Sequence, residues 1–126
     1  YLTLSNNASG GFIKLLGDQA QGVIVSQVMP ASLNFGLVKE ATQLAKAKGV
    51  DEVSPAMLEG FASAKVLVEG LRRAGAKPSR ASLHQALDNL GRLDLGGLVL
   101  DYSPSDHTGL DFADLSIVGT GGRFRR

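Results

Sequence analysis

Cysteine is absent from this 126-residue sequence. Its absence excludes disulfide bonds, thiolate metal sites and cysteine nucleophiles. Charge of one sign is also lacking, because 13 Lys and Arg residues are balanced by 12 Asp and Glu residues, leaving a net charge of +1. A chain so nearly neutral has no general attraction for nucleic acid or for an anionic membrane. No apolar run is long enough to span a bilayer.

The sequence has no initiator methionine and no signal peptide at its start. It opens on Tyr1-Leu2-Thr3-Leu4, a pattern typical of a strand. Natural chains seldom begin inside a secondary-structure element. We therefore expect the sequence to continue a longer polypeptide that lies upstream of Tyr1.

Hydrophobic residues make up 44% of the chain and charged residues 20%, as in a globular domain. Periodicity and turn residues predict the order β-α-β-α-α-α-β-β, which is an α/β arrangement. The nearly continuous apolar run at 22–28 predicts a strand buried on both faces of a parallel sheet. Because the strands are few and far apart, partner strands are expected elsewhere. The predicted strands are 2–4, 22–28, 97–102 and 112–118. The predicted helices cover about 12–16, 35–48, 55–74 and 79–90.

Residues that could carry catalysis or bind a metal are scarce. Asp106 and His107 are adjacent in a Ser-Pro-Ser-Asp-His-Thr-Gly stretch, where Asp and Thr side chains are expected to hold a structural turn. His84 is expected on the solvent side of a helix. The other carboxylates near this stretch match no metal motif, and there is no Gly-x-Ser-x-Gly elbow. We expect no enzyme activity, no metal and no cofactor, although a small α/β enzyme stays an alternative.

Phe61 lies near the start of the long helix that Ser54 and Pro55 begin. An aromatic residue there is either part of the core or one wall of a ligand pocket. Periodicity alone does not separate these two interpretations.

Five stretches together resemble one family. Gly17–Pro30 is similar to the strand that leaves the second lobe in substrate-binding proteins of ABC transporters, of the branched-chain amino acid (Leu/Ile/Val-binding) type. Leu58–Gly75 resembles the long first-lobe helix of that family. Asp94–Leu98, Tyr102–Gly109 and Gly122–Arg125 resemble its closing strands and tail. Members of that family are type I periplasmic binding proteins.

The resemblance implies the C-terminal fragment of a two-lobed Rossmann-like periplasmic binding protein fold. Residues 1–28 would be part of lobe two, residues 29–110 part of lobe one, and residues 111–126 a return segment to lobe two. The ligand-binding residues carried over are Ser5, Asn6 and Phe61. The loop with Ser5 and Asn6 carries no acidic side chain at the place where the family often has one.

The implied function is that of a solute-binding component of an ABC importer, which closes on a small amino-acid-like or carboxylate ligand between the lobes. The alternative is a ligand-sensing regulatory or receptor domain. The implied partner is a membrane permease, and the implied location is periplasmic or lipid-anchored, with a signal peptide in the precursor. Truncation would leave unpaired strand edges and apolar faces, so we expect the chain to self-associate.

Overall fold

The structure is a computed structural model that describes residues 1–7, 10–32 and 34–125, with the side chain of Asn6 left out. Four helices and seven strands are present in the described residues. The helices are α1 Gly10–Leu16, α2 Gly36–Ala47, α3 Pro55–Ala74 and α4 Arg80–Asp88. The strands are β1 Leu2–Thr3, β2 Ile24–Gln27, β3 Gly91–Asp94, β4 Val99–Ser103, β5 Asp106–Gly109, β6 Asp114–Val118 and β7 Phe124–Arg125. Short 3-10 turns occupy Ser5–Asn7, Gly17–Ala20 and Thr120–Gly122.

The strands form two separate sheets. Sheet A has the order β1-β2-β6-β7, with β1 parallel to β2 and the other neighbours antiparallel. Sheet B is an antiparallel meander in the order β3-β4-β5. Sheet A joins the two ends of the sequence, because β1 and β2 lie before all of sheet B and β6 and β7 lie after it. The segment between β2 and β6 therefore builds a second body beside sheet A.

Each sheet has its own core. The core of sheet A packs Ile13 of α1 against Val25 and Val118 on the inner face of the sheet. The larger core packs α2 and α3 against sheet B. Its buried members are Met29, Leu37, Val38, Ala41, Leu58, Ala62, Leu95, Leu98 and Leu100. The two clusters share no buried residue among those described, so the chain has two hydrophobic centres.

Local chemistry fixes the start of α3 as predicted. The Ser54 hydroxyl accepts a hydrogen bond from the Met57 backbone N–H at 3.2 Å, and Pro55 occupies the first helical turn. The helix ends at Gly75, whose φ of 90° is accessible mainly to glycine. This is the most accurately predicted element of the chain.

The turn between β3 and β4 brings sheet B against α2. Asp94 accepts hydrogen bonds from the backbone N–H groups of Gly96 and Gly97 at 2.9 and 2.7 Å. A Cβ on Gly96 would lie 2.7 Å from the Leu37 backbone nitrogen, so only glycine fits this approach. The glycine pair is thus a structural turn, and it positions the first turn of α2.

Several predictions from the sequence are wrong. The strand at 22–28 is buried on one face only, since Val25 is 0% exposed but Ile24 is 37% and Val28 is 38% exposed. It is also mainly antiparallel in its pairing, because β6 returns beside it. Strands β3, β5 and β7 were not expected. The stretch predicted as a turn at 103–109 contains β5, and Gly91 begins β3 instead of ending α4.

Candidate functional site

The candidate site lies at one edge of sheet A. Because β1 and β2 are parallel, their carboxyl ends point to the same edge, and the antiparallel β6 begins there. The turn that holds Ser5 follows β1, Gln27 ends β2, and Asp114 begins β6. In open α/β sheets, ligands bind at the carboxyl ends of the strands. We call Ser5, Gln27, Asp114 and Ser116 the polar edge of sheet A.

Gln27 and Ser116 form the buried part of the polar edge. Each side chain is 4% exposed. Gln27 Nε2 donates a hydrogen bond to Ser116 Oγ at 2.9 Å, and Ser116 Oγ donates a longer one to the Val25 carbonyl at 3.4 Å. The Gln27 Oε1 atom is buried and has no hydrogen-bond partner, the one such side-chain atom among the described residues. Leaving a buried acceptor unpaired costs about 1–3 kcal/mol.

Asp114 lies opposite Gln27 in the β2–β6 ladder. Directly paired residues share a face of the sheet, with Cβ atoms about 5 Å apart. Asp114 is half-buried, and its carboxylate accepts the Leu115 backbone N–H at 2.8 Å. The polar edge therefore combines a negative charge with an unpaired amide oxygen. Only the β2–β6 register brings Asp114 to this edge.

Ser5 and Asn6 occupy the 3-10 turn after β1. This turn packs near β2 and is closed by the Asn7 backbone N–H, which donates to the Leu4 carbonyl at 3.0 Å. The Asn7 side chain also donates to Thr3 Oγ1 at 2.8 Å. Ser5 is half-buried at the polar edge, whereas the side chain of Asn6 lies outside the described residues.

Phe61 lies on the second body instead. Its ring is half-buried against the larger core, and Lys65 Nζ lies 5.4 Å from the ring centroid. Lys65 also forms an ion pair with Glu40 of α2. The ring therefore serves as core on one side and supports a charged group on the other. Ser5 and Phe61 belong to different bodies, so a ligand touching both would lie between them.

Both histidines contact Asp88, so His107 is not paired with Asp106, the arrangement considered from the sequence. Asp106 accepts hydrogen bonds from the hydroxyl and from the backbone N–H of Thr108, and both lower the pKa of Asp106. These side chains hold the backbone as expected, but they do so within β5. His107 points away to Asp88 of α4, with Nε2 3.1 Å from Oδ1. His84 approaches the other Asp88 oxygen at 3.0 Å and is 72% exposed, on the solvent side as expected.

This histidine cluster ties α4 to β5 on the surface. The described ranges contain no group of three or more His, Cys, Asp or Glu residues that could hold a metal ion. None of the helices in those ranges has the length and hydrophobicity of a membrane-spanning segment. Among the described residues, no serine is hydrogen-bonded to this cluster. Its contacts join α4 to β5.

Solved structures provide the comparison with known proteins. A substrate-binding periplasmic protein from Ralstonia solanacearum is 35% identical, with a TM-score of 0.83 over 98% of this chain and 36% of that one. A possible leucine/isoleucine/valine-binding protein from Rhodopirellula baltica SH 1 is 27% identical, with a TM-score of 0.86 over 99% of this chain and 35% of that one. A branched-chain amino acid ABC transporter protein from Thermus thermophilus with bound valine is 20% identical, with a TM-score of 0.74 over 98% of this chain and 37% of that one.

No protein-family model and no curated protein matches the sequence. The fold expected from the family resemblance is nevertheless confirmed: the chain has the fold of part of a two-lobed type I periplasmic binding protein. It spans about a third of the length of these solved structures. The three are described as binding or transport proteins, and none is described as an enzyme.

Proposed function

We propose that this chain, which shares its fold with part of the type I periplasmic binding proteins, is the C-terminal portion of a solute-binding component of an ABC importer. Its ligand is a small amino-acid-like or carboxylate solute held between two lobes. The observation that carries the proposal is the match to the Ralstonia solanacearum protein, which combines 35% identity with a TM-score of 0.83 across nearly the whole chain. The protein binds its ligand without making or breaking a bond.

The two cores support a division of the chain between two lobes. Residues 1–28 and 111–126 would form part of lobe two around sheet A, and residues 29–110 would form part of lobe one around sheet B. The core of sheet A draws its members from the two end segments, whereas the larger core draws them from the middle. The proposed ligand contacts are Ser5 and Asn6 in lobe two and Phe61 in lobe one.

The proposed partners follow from the same relatives. A protein of this kind delivers its ligand to a membrane permease, which recognises the closed form. The proposed location is the periplasm, and the alternative is a lipid anchor at the cell surface. A ligand-sensing receptor is the second candidate, since one related structure is described as an extracellular ligand-binding receptor.

The apolar outer face of sheet A supports self-association of this chain. Leu2, Ile24 and Ile117 align across β1, β2 and β6 on that face, and all three side chains are exposed. Leu115 adds to the same face beside Ser26. Such a contiguous apolar surface is uncommon on a monomer. We propose that a second copy covers it in solution.

The binding proposal is tested by NMR titration of the ¹⁵N-labelled chain with leucine and with 4-methylpentanoate, which is leucine without its amine. We expect shifts in the turn at 5–7 and at the ends of β2 and β6. We also expect weak, millimolar affinity, because the chain spans only about a third of the length of its relatives. D-glucose, a neutral solute, is the control. The absence of any localised shift with either ligand would contradict the proposal.

A further inference from the structure

We propose that the groove between the end of α3 and α4 is a second binding site, which takes a small polyvalent oxyanion. The site goes beyond the proposed function, because it lies away from the proposed ligand contacts. Phe61 is near the start of α3 and Arg73 at its end, so a rise of about 1.5 Å per residue separates them by about 18 Å. The groove encloses about 360 Å³, within the range of about 300–1,000 Å³ for small-molecule sites. It is lined by Arg73, Ala74, Ser82, Gln85, Ala86 and Asn89.

Arg73 is held in place on the α3 wall of the groove. Its Nε donates a hydrogen bond to Glu69 Oε1 at 2.7 Å, and its Nη1 donates to the Leu90 carbonyl at 2.8 Å. These bonds orient the guanidinium, while Nη2 makes no hydrogen bond within the described part of the chain. A guanidinium carries its N–H donors in a rigid plane that matches a carboxylate or a phosphate. Arg73 is therefore oriented in advance and still has donors for an oxyanion.

Gln85 supplies an available amide on the α4 wall. Its side chain is exposed and makes no hydrogen bond with any residue that the structure describes. The other two polar groups of the lining are used within their own region of the chain. Ser82 Oγ bonds the backbone N–H and carbonyl of Ser79, and Asn89 Nδ2 donates to the Gln85 carbonyl at 2.8 Å. A bound group would therefore meet N–H donors of Arg73 on one wall and of Gln85 on the other.

Close packing of the two helices sets the distance between these walls. Gly70 of α3 is buried against α4, and a Cβ there would lie 2.7 Å from Leu87 Cδ2 and 3.2 Å from Leu83 Cδ1. The lack of a side chain at Gly70 thus lets the helices lie close together, less than one turn before Arg73. The groove is therefore formed before a ligand arrives, which lowers the cost of binding.

The charge around the groove favours an anion. Residues 70–87 contain no acidic residue, and their basic residues are Arg72, Arg73, Lys77 and Arg80. The flanking carboxylates already have partners, since Glu69 pairs with Arg72 and Arg73, and Asp88 contacts the two histidines. Positive charge is thus concentrated here in a chain whose net charge is only +1. A local excess of this kind attracts anions, and those with several charges most strongly.

NMR titration of the ¹⁵N-labelled chain with citrate and with inorganic phosphate tests the site, and sodium chloride at matched ionic strength is the control. We expect saturable shifts within residues 70–89, including the Gln85 side-chain amide, and none in the turn at 5–7. The relative affinities of citrate and phosphate then identify the preferred oxyanion. Shifts that chloride reproduces, or that extend equally to Arg123 and Arg125, would indicate general attraction of anions and overturn the inference.

Arg73→Gln and Arg72→Gln form a matched pair of variants. Each removes one positive charge and one partner of Glu69, but only Arg73 lines the groove. We expect Arg73→Gln to weaken citrate binding about tenfold, as loss of a charge-assisted hydrogen bond would give, and Arg72→Gln to weaken it about twofold or less. Equal losses in the two variants would assign binding to the charge of the surface and overturn the inference.

Gln85→Ala tests the opposite wall without disturbing the fold, because the Gln85 side chain is exposed. It also decides the matter if Arg73→Gln does not fold, which a dispersed ¹H–¹⁵N spectrum checks for every variant. We expect Gln85→Ala to weaken citrate binding about threefold, as loss of one neutral hydrogen bond would give. Unchanged affinity in this variant would remove α4 from the site and overturn the inference.

Discussion

Gln27 and Ser116 are joined by a buried side-chain hydrogen bond of 2.9 Å, although 89 positions separate them in the sequence. The bond connects the strand by which the chain leaves sheet A to the strand by which it returns. The two residues therefore form a buried side-chain contact between the two end segments of the chain.

Ser54→Ala should destabilise the chain by about 1 kcal/mol, because it removes the side-chain oxygen that caps α3. Chemical denaturation followed by circular dichroism measures the change. Ser63→Ala is the matched control, since Ser63 is exposed within the same helix and its hydroxyl donates only to the Glu59 carbonyl. The control should be neutral or slightly stabilising. Equal losses in the two variants would show that the cap has no special role.

Gly109→Ala should destabilise the chain more than Gly121→Ala does. Both glycines have nearly the same φ, 71° and 72°, so the backbone strain on substitution is shared. A Cβ on Gly109 would lie 2.4 Å from the Tyr102 ring, whereas nothing lies within 4 Å at Gly121. We expect about 1 kcal/mol for Gly121→Ala and about 1–3 kcal/mol more for Gly109→Ala, measured by urea unfolding. Similar values would mean that the Tyr102 ring moves aside freely.

The end of α3 should respond to acid through Glu69. Hydrogen bonds from Arg72 and then Arg73 lower the Glu69 pKa from 4.5 to about 2. A lowered pKa in the folded state stabilises the fold above pH 4.5, and this contribution is lost as the pH falls toward about 2. Glu69→Gln should therefore lower the melting temperature at neutral pH, and its difference from the unchanged chain should shrink over that acidic range.

Glu59→Gln is the control for this pH dependence, since Glu59 is exposed on the same helix. Differential scanning fluorimetry from pH 7 to pH 2.5 follows both variants. Arg73 also donates to the buried Leu90 carbonyl at 2.8 Å, so the loss at Glu69 should loosen the contact between α3 and the start of β3. A Glu69→Gln difference that is constant with pH would contradict the interpretation.

Ile117→Lys should convert the chain from an associated form to a monomer. Ile117 is 43% exposed at the middle of the apolar outer face of sheet A, and a lysine there would place charge in the proposed contact. Analytical ultracentrifugation over a range of concentrations measures the change. Leu67→Lys is the control, since Leu67 is similarly exposed on α3, away from that face. Association that survives Ile117→Lys would assign the contact to another surface.

The long elements were predicted well because the residues that begin and end them are their neighbours in the sequence. Ser54, Pro55 and Gly75 mark α3 at both ends, and the observed helix has the expected bounds. The short strands β3, β5 and β7 were missed because polar or glycine-rich sequence such as Asp106–Gly109 becomes a strand only beside a partner. Pairing at a distance is a tertiary property that no local pattern contains.

The site was less accessible to sequence reasoning than the fold. Ser5 and Phe61 were named from a family resemblance, and their roles stay predictions. Gln27 lies inside the predicted strand at 22–28, and neither Gln27 nor Asp114 was a candidate site residue. Only the β2–β6 register puts these two side by side and buries one of them. The available hint was the polar pair Ser26 and Gln27 within the otherwise apolar run at 22–28.

The pairing of Gln27 with Asp114 has a consequence for how the gene could be divided. Since these residues are opposite each other in one antiparallel ladder, everything between them is, in topological terms, an insertion into a hairpin. A two-residue turn could replace that whole insertion and leave β1, β2, β6 and β7 in their present order. The two ends of the inserted segment would also lie side by side, so the segment could be moved into another protein as one unit.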